Sequence, residues 1–277
     1  THDTKRSEDV RARLLALAGD ADAWTRLSAL ASDAADAHGV DKPTAHLVWQ
    51  TLAGVGRITP DRLDAYLTKA MRESKQHTSW LQPGADYEQR ALGLGRSILA
   101  GDELGTAIAQ AVRDNRDAIR TVTLAQKLVQ LTLPGVPDTY QGACQLNLTL
   151  VDPDNRSDVD FAAHRDRLAR LDAGGSVESL DDEVLLVTSR TLRLRRERPE
   201  LFATDHRPLA LPAGLLGFGR GDDVVVVVRR GRADPSGTVD LPDDTWLDML
   251  TGYRFDGPTA AADLLATLPV ALLVREA

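Results

Sequence analysis

The sequence predicts an α+β chain, with a long helical part preceding a small antiparallel β part, and three observations predict it. From Ser7 to about Gln130, apolar residues recur at three- and four-residue spacing. From His206 onward, short runs rich in Val, Leu and Trp are separated by Gly, Asp and Pro turns. Between them lies Leu128 to Asp160, LVQLTLPGVPDTYQGACQLNLTLVDPDNRSDVD. Its apolar start is broken by Pro134-Gly-Val-Pro137 and Tyr140-Gln-Gly142, as a buried strand is when its carboxyl end opens into a loop. This stretch reads as the hinge between two architectures.

Each element has a local cause. Ser7 followed by Glu8 and Asp9 supplies a capping hydroxyl and two acids near the positive end of a helix dipole, and Val10, Leu14 and Leu17 repeat at helical spacing up to Gly19. Thr1 to Arg6 therefore forms a loop feeding a helix. Asp20 to His38 places Trp24, Leu27 and Leu30 on one side of a second helix, and Asp41-Lys-Pro43 starts a third with Leu47, Val48 and Leu52. Thr59-Pro60 is a cap followed by a proline at the first helical position. Leu63, Tyr66, Leu67, Ala70 and Met71 mark the buried face of that helix, which runs to about Lys75. Gln76-His-Thr-Ser-Trp80 and Leu-Gln-Pro-Gly84 form a polar and aromatic loop. Asp86 to Leu99 and Asp102 to about Gln130 predict two more helices, the second long and amphipathic, so that this helical stretch reads as an inserted subdomain. Phe161 to Leu171 and Asp182 to Glu197 are helical. Leu215 to Arg220, Val224 to Arg230, Thr238 to Leu241, Trp246 to Leu250 and Leu268 to Arg275 are strands, spaced as in a small sandwich with Val224 to Val228 in its core.

Bulk properties narrow the function. The chain has 277 residues, 43% of them hydrophobic, which suffices for a substantial core in one large domain or two smaller ones. A net charge of −8 argues against nucleic acid as main partner, because no excess of cations is present to neutralise phosphates. The one cysteine, Cys144, cannot form an internal disulfide and reads as a small apolar filler in a reducing compartment. No apolar run approaches the roughly 20 residues of a membrane span, and the start is not a signal peptide. The expected location is the cytoplasm, with no membrane partner.

No phosphate loop, dinucleotide fingerprint, zinc-ligand spacing or nucleophile elbow is present, so no cofactor or metal is expected. What remains are polar and aromatic clusters at element ends: His2-Asp3, His77 to Trp80, Tyr140-Gln141 and Asp152 to Arg156. Such a mixture suits a neutral polyol, whose hydroxyls are fixed by carboxylates and imidazoles while an aromatic face covers the apolar side of the ring. Singly, each has a plainer reading: a frayed terminus for His2-Asp3, packing for Trp80 and Tyr87, a turn for Asp152 to Arg156, and a solvated helix start for Asp181-Asp182-Glu183.

Together they match one family. THDTKRSEDVRARL, KQHTSW, LTLPGVPDTYQG, LVDPDNRSDVDF, SRTLRLRRERPELF and LPVALLV resemble, in order, the carboxyl-terminal part of maltooligosyl trehalose synthases of the alpha-amylase superfamily. The resemblance covers essentially the whole chain. It implies part of a (β/α)8 barrel with its active site at the carboxyl ends of the strands. Residues 1–20 would follow strand 7, 21–127 would be a helical insertion, 128–202 would hold strand 8 (Leu128 to Tyr140) and closing helices, and 203–277 a β-sandwich domain. The implied reaction converts the reducing-end alpha-1,4 linkage of a maltooligosaccharide into an alpha,alpha-1,1 linkage. It is a retaining process, in which a carboxylate attacks the anomeric carbon and an acid protonates the leaving oxygen. The freed glucose turns over in a closed site and attacks through its anomeric hydroxyl, with water excluded. Asp3 matches the third catalytic carboxylate of the superfamily. His2 matches the histidine contacting the same sugar, and Lys5, Arg6, Lys75, His77, Trp80, Tyr140 and Gln141 fall in the motifs as substrate-site residues.

Two departures qualify the match. The strands expected to carry the nucleophile and the general acid precede Thr1, so the chain by itself is expected to be inactive, and the missing amino-terminal barrel half, on the same or a separate polypeptide, is an implied partner. An acidic residue and a tryptophan of the family pattern are replaced by Cys144 and Leu146. A non-catalytic module that binds maltodextrin or mediates assembly is the competing reading. A hydrolase of the superfamily is disfavoured by KQHTSW.

Overall fold

The computed structural model describes residues 5–151, 158–232 and 234–276. His2, Asp3 and the Asp152 to Arg156 turn lie outside the described residues. The chain forms two compact units, one comprising Arg6–Arg116 with Leu148–Leu150, the other Lys5, Asp117–Asn147 and the residues from Val151 onward.

The first unit is helical: α1 (Glu8–Ala18), α2 (Ala21–His38), α3 (Lys42–Val55), α4 (Pro60–Ser74), α5 (Ala85–Leu99) and α6 (Glu103–Asp114). The expected cap forms at Thr59, and Asp20 and Asp41, at expected helix starts, cap as well: their side-chain oxygens accept from Arg62, Ala23 and Thr44 backbone N–H groups, whereas Ser7, expected to cap α1, makes no side-chain cap bond. Gly39 ends α2 at φ 63°, a left-handed position that favours glycine. Apolar faces meet in one core, with Leu63, Leu67 and Leu94 fully buried and Trp49 packed edge-on against Trp24 at 4.8 Å. The single helix expected from Asp102 to Gln130 is two helices, broken at Asn115. Its buried amide donates to Ala111 O and to Asp20 Oδ2, both at 3.0 Å, so a tertiary partner ends the helix where the apolar periodicity continues.

The second unit begins with α7 (Arg116–Thr132), followed by α8 (Phe161–Asp172), α9 (Leu180–Glu197) and α10 (Pro199–Phe202). Here the sequence expectation fails: Leu128 to Thr132 is helix, and no strand runs through Leu133 to Tyr140. Leu124, Leu128 and Leu131 fall on one buried face at helical spacing, and the helix stops only ahead of Pro134-Gly135. Its last carbonyls are satisfied by two arginines. Arg195 donates to Leu131 O at 3.1 Å and to Gly135 O at 2.7 Å, and buried Arg220 donates to Thr132 O at 3.2 Å, to Thr204 O at 3.0 Å and to Phe202 O. Beyond the turn, Val136 is exposed.

The β part comprises β1 (His206–Pro208), β2 (Leu215–Arg220), β3 (Val224–Arg229), β4 (Thr238–Val239), β5 (Thr245–Asp248), β6 (Arg254–Asp256), β7 (Thr259–Ala260), α11 (Ala261–Leu264) and β8 (Val270–Arg275). Where a sandwich was expected, six strands form one antiparallel sheet in the order β1-β2-β3-β8-β5-β6, and β4 pairs only with β7. Residues alternate between faces. Val224, Val226 and Val228, with Leu272 and Val274, pack towards Leu124, Leu128, Val184 and Val187 of the helices. Val225, Val227 and Leu273 face Val239, Trp246 and Leu264. The Val224 to Val228 run is therefore core on both sides, as its unbroken apolar sequence implies.

Candidate functional site

The most elaborate polar construction in the helical unit surrounds the loop between α4 and α5. Lys75 ends α4 in the left-handed region, at φ 57° and ψ 24°. Residues 76–84 then double back and are fixed from beneath. Thr78 is buried. Its Oγ1 donates to Glu88 Oε1 at 2.5 Å and accepts from Gly84 N at 2.9 Å, closing the loop. A Cβ at Gly84 would lie 2.7 Å from His77 O, so the loop closes only over glycine. Ser79 and Gln82 exchange two further bonds within it.

Glu88 is itself buried and accepts a fork from Arg72, Nε to Oε1 and Nη2 to Oε2, both at 2.8 Å. Those hydrogen bonds hold the Glu88 carboxyl below its ordinary range, against burial, which acts the other way. The Arg72 guanidinium lies over the Trp80 ring, 5.0 Å from its centroid. Trp80 is nevertheless 57% exposed, so one face of the indole is backed by a cation while much of the ring remains open to solvent.

His77 is supported separately. Its ring lies against Tyr87, with centroids 4.5 Å apart and planes 31° from parallel, and its Nε2 is 3.3 Å from Asp41 Oδ2. Tyr87 donates its hydroxyl proton to the same Asp41 oxygen, and its hydroxyl is 2.7 Å from Thr44 Oγ1. Burial, then Asp41, push the Tyr87 phenol up to about 12, so it stays a donor at neutral pH. Burial would raise the Asp41 carboxyl, but bonds from Tyr87 and Thr44 and the nearby His77 outweigh it and hold it low. An aromatic plate backed by a cation and, in the same loop, an imidazole braced by a carboxylate can cover the apolar face of a sugar ring and bond its hydroxyls.

The remaining expected residues are placed as follows. Arg6, in the helical unit, bonds Gln50 Oε1 at 3.2 Å and Thr51 Oγ1 at 3.3 Å on α3. Lys5, Tyr140 and Gln141 belong to the second unit. The Lys5 carbonyl accepts from Val151 N at 3.1 Å, Tyr140 is half exposed, and the Gln141 carbonyl accepts from Asn147 Nδ2 at 3.4 Å. The structure thus brings Lys75, His77 and Trp80 into one loop. Among the described residues, the non-glycine residues at positive φ are Lys5 (62°), Lys75 (57°) and Gln141 (50°), and all three are expected site residues. Cys144 is half-buried against the helix-side core of the sheet unit, 3.5 Å from His164 Nδ1, and burial pushes its thiol up, away from nucleophilic character. No metal-ligand cluster occurs among the described residues, and no helix there is long and apolar enough to cross a membrane.

Asp41, Arg72, Tyr87 and Glu88 escaped the sequence reading as site residues. Asp41 also caps α3 and Glu88 also stands in the first turn of α5, local positions that a helix start fills without any site.

Over its whole length, the chain is similar to the carboxyl-terminal portion of a larger carbohydrate-acting synthase. The relatives are maltooligosyl trehalose synthases. A Mycobacterium tuberculosis (strain H37Rv) protein bearing that name is 37% identical over 294 aligned positions, which take in 100% of this chain and 37% of the relative. The solved structure of maltooligosyltrehalose synthase from Arthrobacter ramosus matches with a TM-score of 0.88 at 37% identity, over 100% of this chain and 38% of that one. A hypothetical maltooligosyl trehalose synthase of Sulfolobus tokodaii matches with a TM-score of 0.81 at 27% identity, over 99% and 38%. The chain therefore spans somewhat over a third of the length of the relatives it matches. No protein-family model matches it.

Proposed function

We propose that this chain supplies part of the substrate site of a maltooligosyl trehalose synthase, acting with an amino-terminal portion that carries the nucleophile and the general acid. In this reading, the second unit contributes to a (β/α)8 barrel. The reaction is the cytoplasmic conversion of the reducing-end alpha-1,4 linkage of a maltooligosaccharide to an alpha,alpha-1,1 linkage. Asp3 is the carboxylate that bonds ring hydroxyls of the reacting sugar, with His2 beside it. Lys5, Arg6, Lys75, His77, Trp80, Tyr140 and Gln141 hold the substrate. The observation that carries the reading is the left-handed backbone at Lys5, Lys75 and Gln141. Such strain costs of order 1–3 kcal/mol at a non-glycine residue and concentrates where a side chain is needed in one place.

The test is the isomerisation of maltohexaose by the longer protein carrying this sequence, followed as loss of reducing ends without release of glucose. Asp3→Ala should lower turnover by orders of magnitude, because it removes a contact that strengthens in the transition state. Near-normal turnover would overturn the role of Asp3. A second reading, a maltodextrin-binding module without catalysis, is supported by Cys144 and Leu146 standing where the family pattern has an acid and a tryptophan. Saturable maltohexaose binding with no loss of reducing ends in the longer protein would favour it.

A further inference from the structure

We propose that Glu88 is a positioning residue of the site: through the Arg72 fork it fixes the Trp80 ring as a one-faced platform for a pyranose ring, and through Thr78 it holds the loop closed. The proposal rests on the carbohydrate reading above and adds a residue that resemblance did not supply. Glu88 is too deeply buried to touch a ligand, yet both of its oxygens are used. Oε1 takes the Thr78 hydroxyl, whose oxygen in turn accepts from Gly84 at the far end of the loop, and the two oxygens together take the Arg72 fork. A guanidinium held at two points cannot rotate about its own axis, so its plane is set before any ligand arrives. That plane lies over Trp80, a side chain otherwise 57% exposed and free to change rotamer. Leu81, 94% exposed beside it, offers no competing burial for the ring. Ordering an aromatic platform in advance removes part of the entropic cost of binding, which is what a weakly interacting neutral ligand needs.

The experiment follows the Trp80 indole by heteronuclear NMR relaxation in the 277-residue chain, its resonance assigned by its loss in Trp80→Phe, alongside maltohexaose titrations. Glu88→Gln keeps an acceptor for Thr78 but breaks half of the fork, and Arg72→Lys keeps the charge without the fork. Both should leave the helical content unchanged, turn the Trp80 side chain from rigid to mobile, and raise the maltohexaose Kd about tenfold, the scale of one aromatic contact. In a Trp80→Ala background, Glu88→Gln should no longer change the Kd, whereas a purely structural role would leave its effect intact. A Trp80 ring as rigid in both variants as in the wild type would overturn the proposal. A ring that becomes mobile while maltohexaose binding is unchanged would support the positioning and overturn the carbohydrate reading.

Discussion

Two buried carboxylates, one in each unit, are held in opposite ways. Glu88, beneath the loop of residues 76–84, faces a guanidinium and a hydroxyl, and its pKa is held down. Asp248, at the end of β5, accepts its hydrogen bonds from neutral donors, the Leu250 and Leu272 backbone N–H groups, each at 3.1 Å from Oδ1, and the Thr251 hydroxyl at 2.6 Å from Oδ2, while the Arg190 charge acts on it without such a bond among the described residues. Burial dominates there, and its pKa is pushed up. Burial alone therefore does not decide what a carboxylate does. With a cation beside it, it stays charged and transmits geometry to an exposed platform. With neutral donors, it drifts towards the protonated form and serves as a staple joining a turn to β8.

Breaking the staple should have the largest effect. Asp248→Ala leaves two buried N–H groups unsatisfied, at about 1–3 kcal/mol each, so a loss of about 2–6 kcal/mol is expected in urea denaturation. Asp248→Asn retains an acceptor for both and removes the buried charge, and it should be at least as stable as the wild type at pH 7. Breaking the strut is milder, because Arg72 is partly exposed and can return to water. Glu88→Ala should cost about 1–3 kcal/mol by the same measurement and weaken maltohexaose binding about tenfold.

The two sites should also respond to acid with opposite signs. The Glu88 pKa is lowered on folding, so its contribution is present above the unfolded value near 4.5 and lost as pH falls through the folded one. The Asp248 pKa is raised above 3.8, so its contribution is full below that value and lost as pH rises through the folded one. Plotted against pH, the Tm difference between wild type and Glu88→Gln should shrink on acidification from the wild-type side. The difference for Asp248→Asn should shrink from the variant side. Shifts of the same sign would erase the distinction between strut and staple.

The smallest effect is expected at Lys75. Lys75→Gly relieves the left-handed backbone and should change stability by no more than about 1 kcal/mol, in the stabilising direction, while weakening maltohexaose binding. An unchanged Kd in that variant would mean that the side chain is not used.

Much of the helical unit was legible in the sequence because its helices carry their own punctuation: Asp20, Asp41 and Thr59 start helices where the pattern starts them, though the Ser7 hydroxyl, read as a cap, makes no cap bond. The break at Asn115 was not legible, since what ends α6 is a bond to Asp20, 95 residues away in the chain. Leu131 to Leu133 was misread because a short apolar run ahead of a proline fits a buried strand and the last turn of a helix equally well. The arbiters, Arg195 and Arg220 on the α7 carbonyls, are distant in sequence. In the sheet, β2, β3 and β8 announced themselves by apolar runs, whereas β6 and β7, at three and two residues, are too short to show a period. At the candidate site, His77 to Trp80 stood out as a polar and aromatic cluster whose substrate role came from the resemblance, and the carboxylates Asp41 and Glu88 were hidden by their local positions in helix starts.

The most direct measurement is calorimetric titration of maltohexaose into the 277-residue chain and into its Trp80→Ala variant. Saturable binding by the wild type, weakened at least tenfold in the variant with Tm unchanged, is the result predicted for a carbohydrate platform on the loop of residues 76–84. Equal binding by both proteins, or none by a folded wild type, would contradict it.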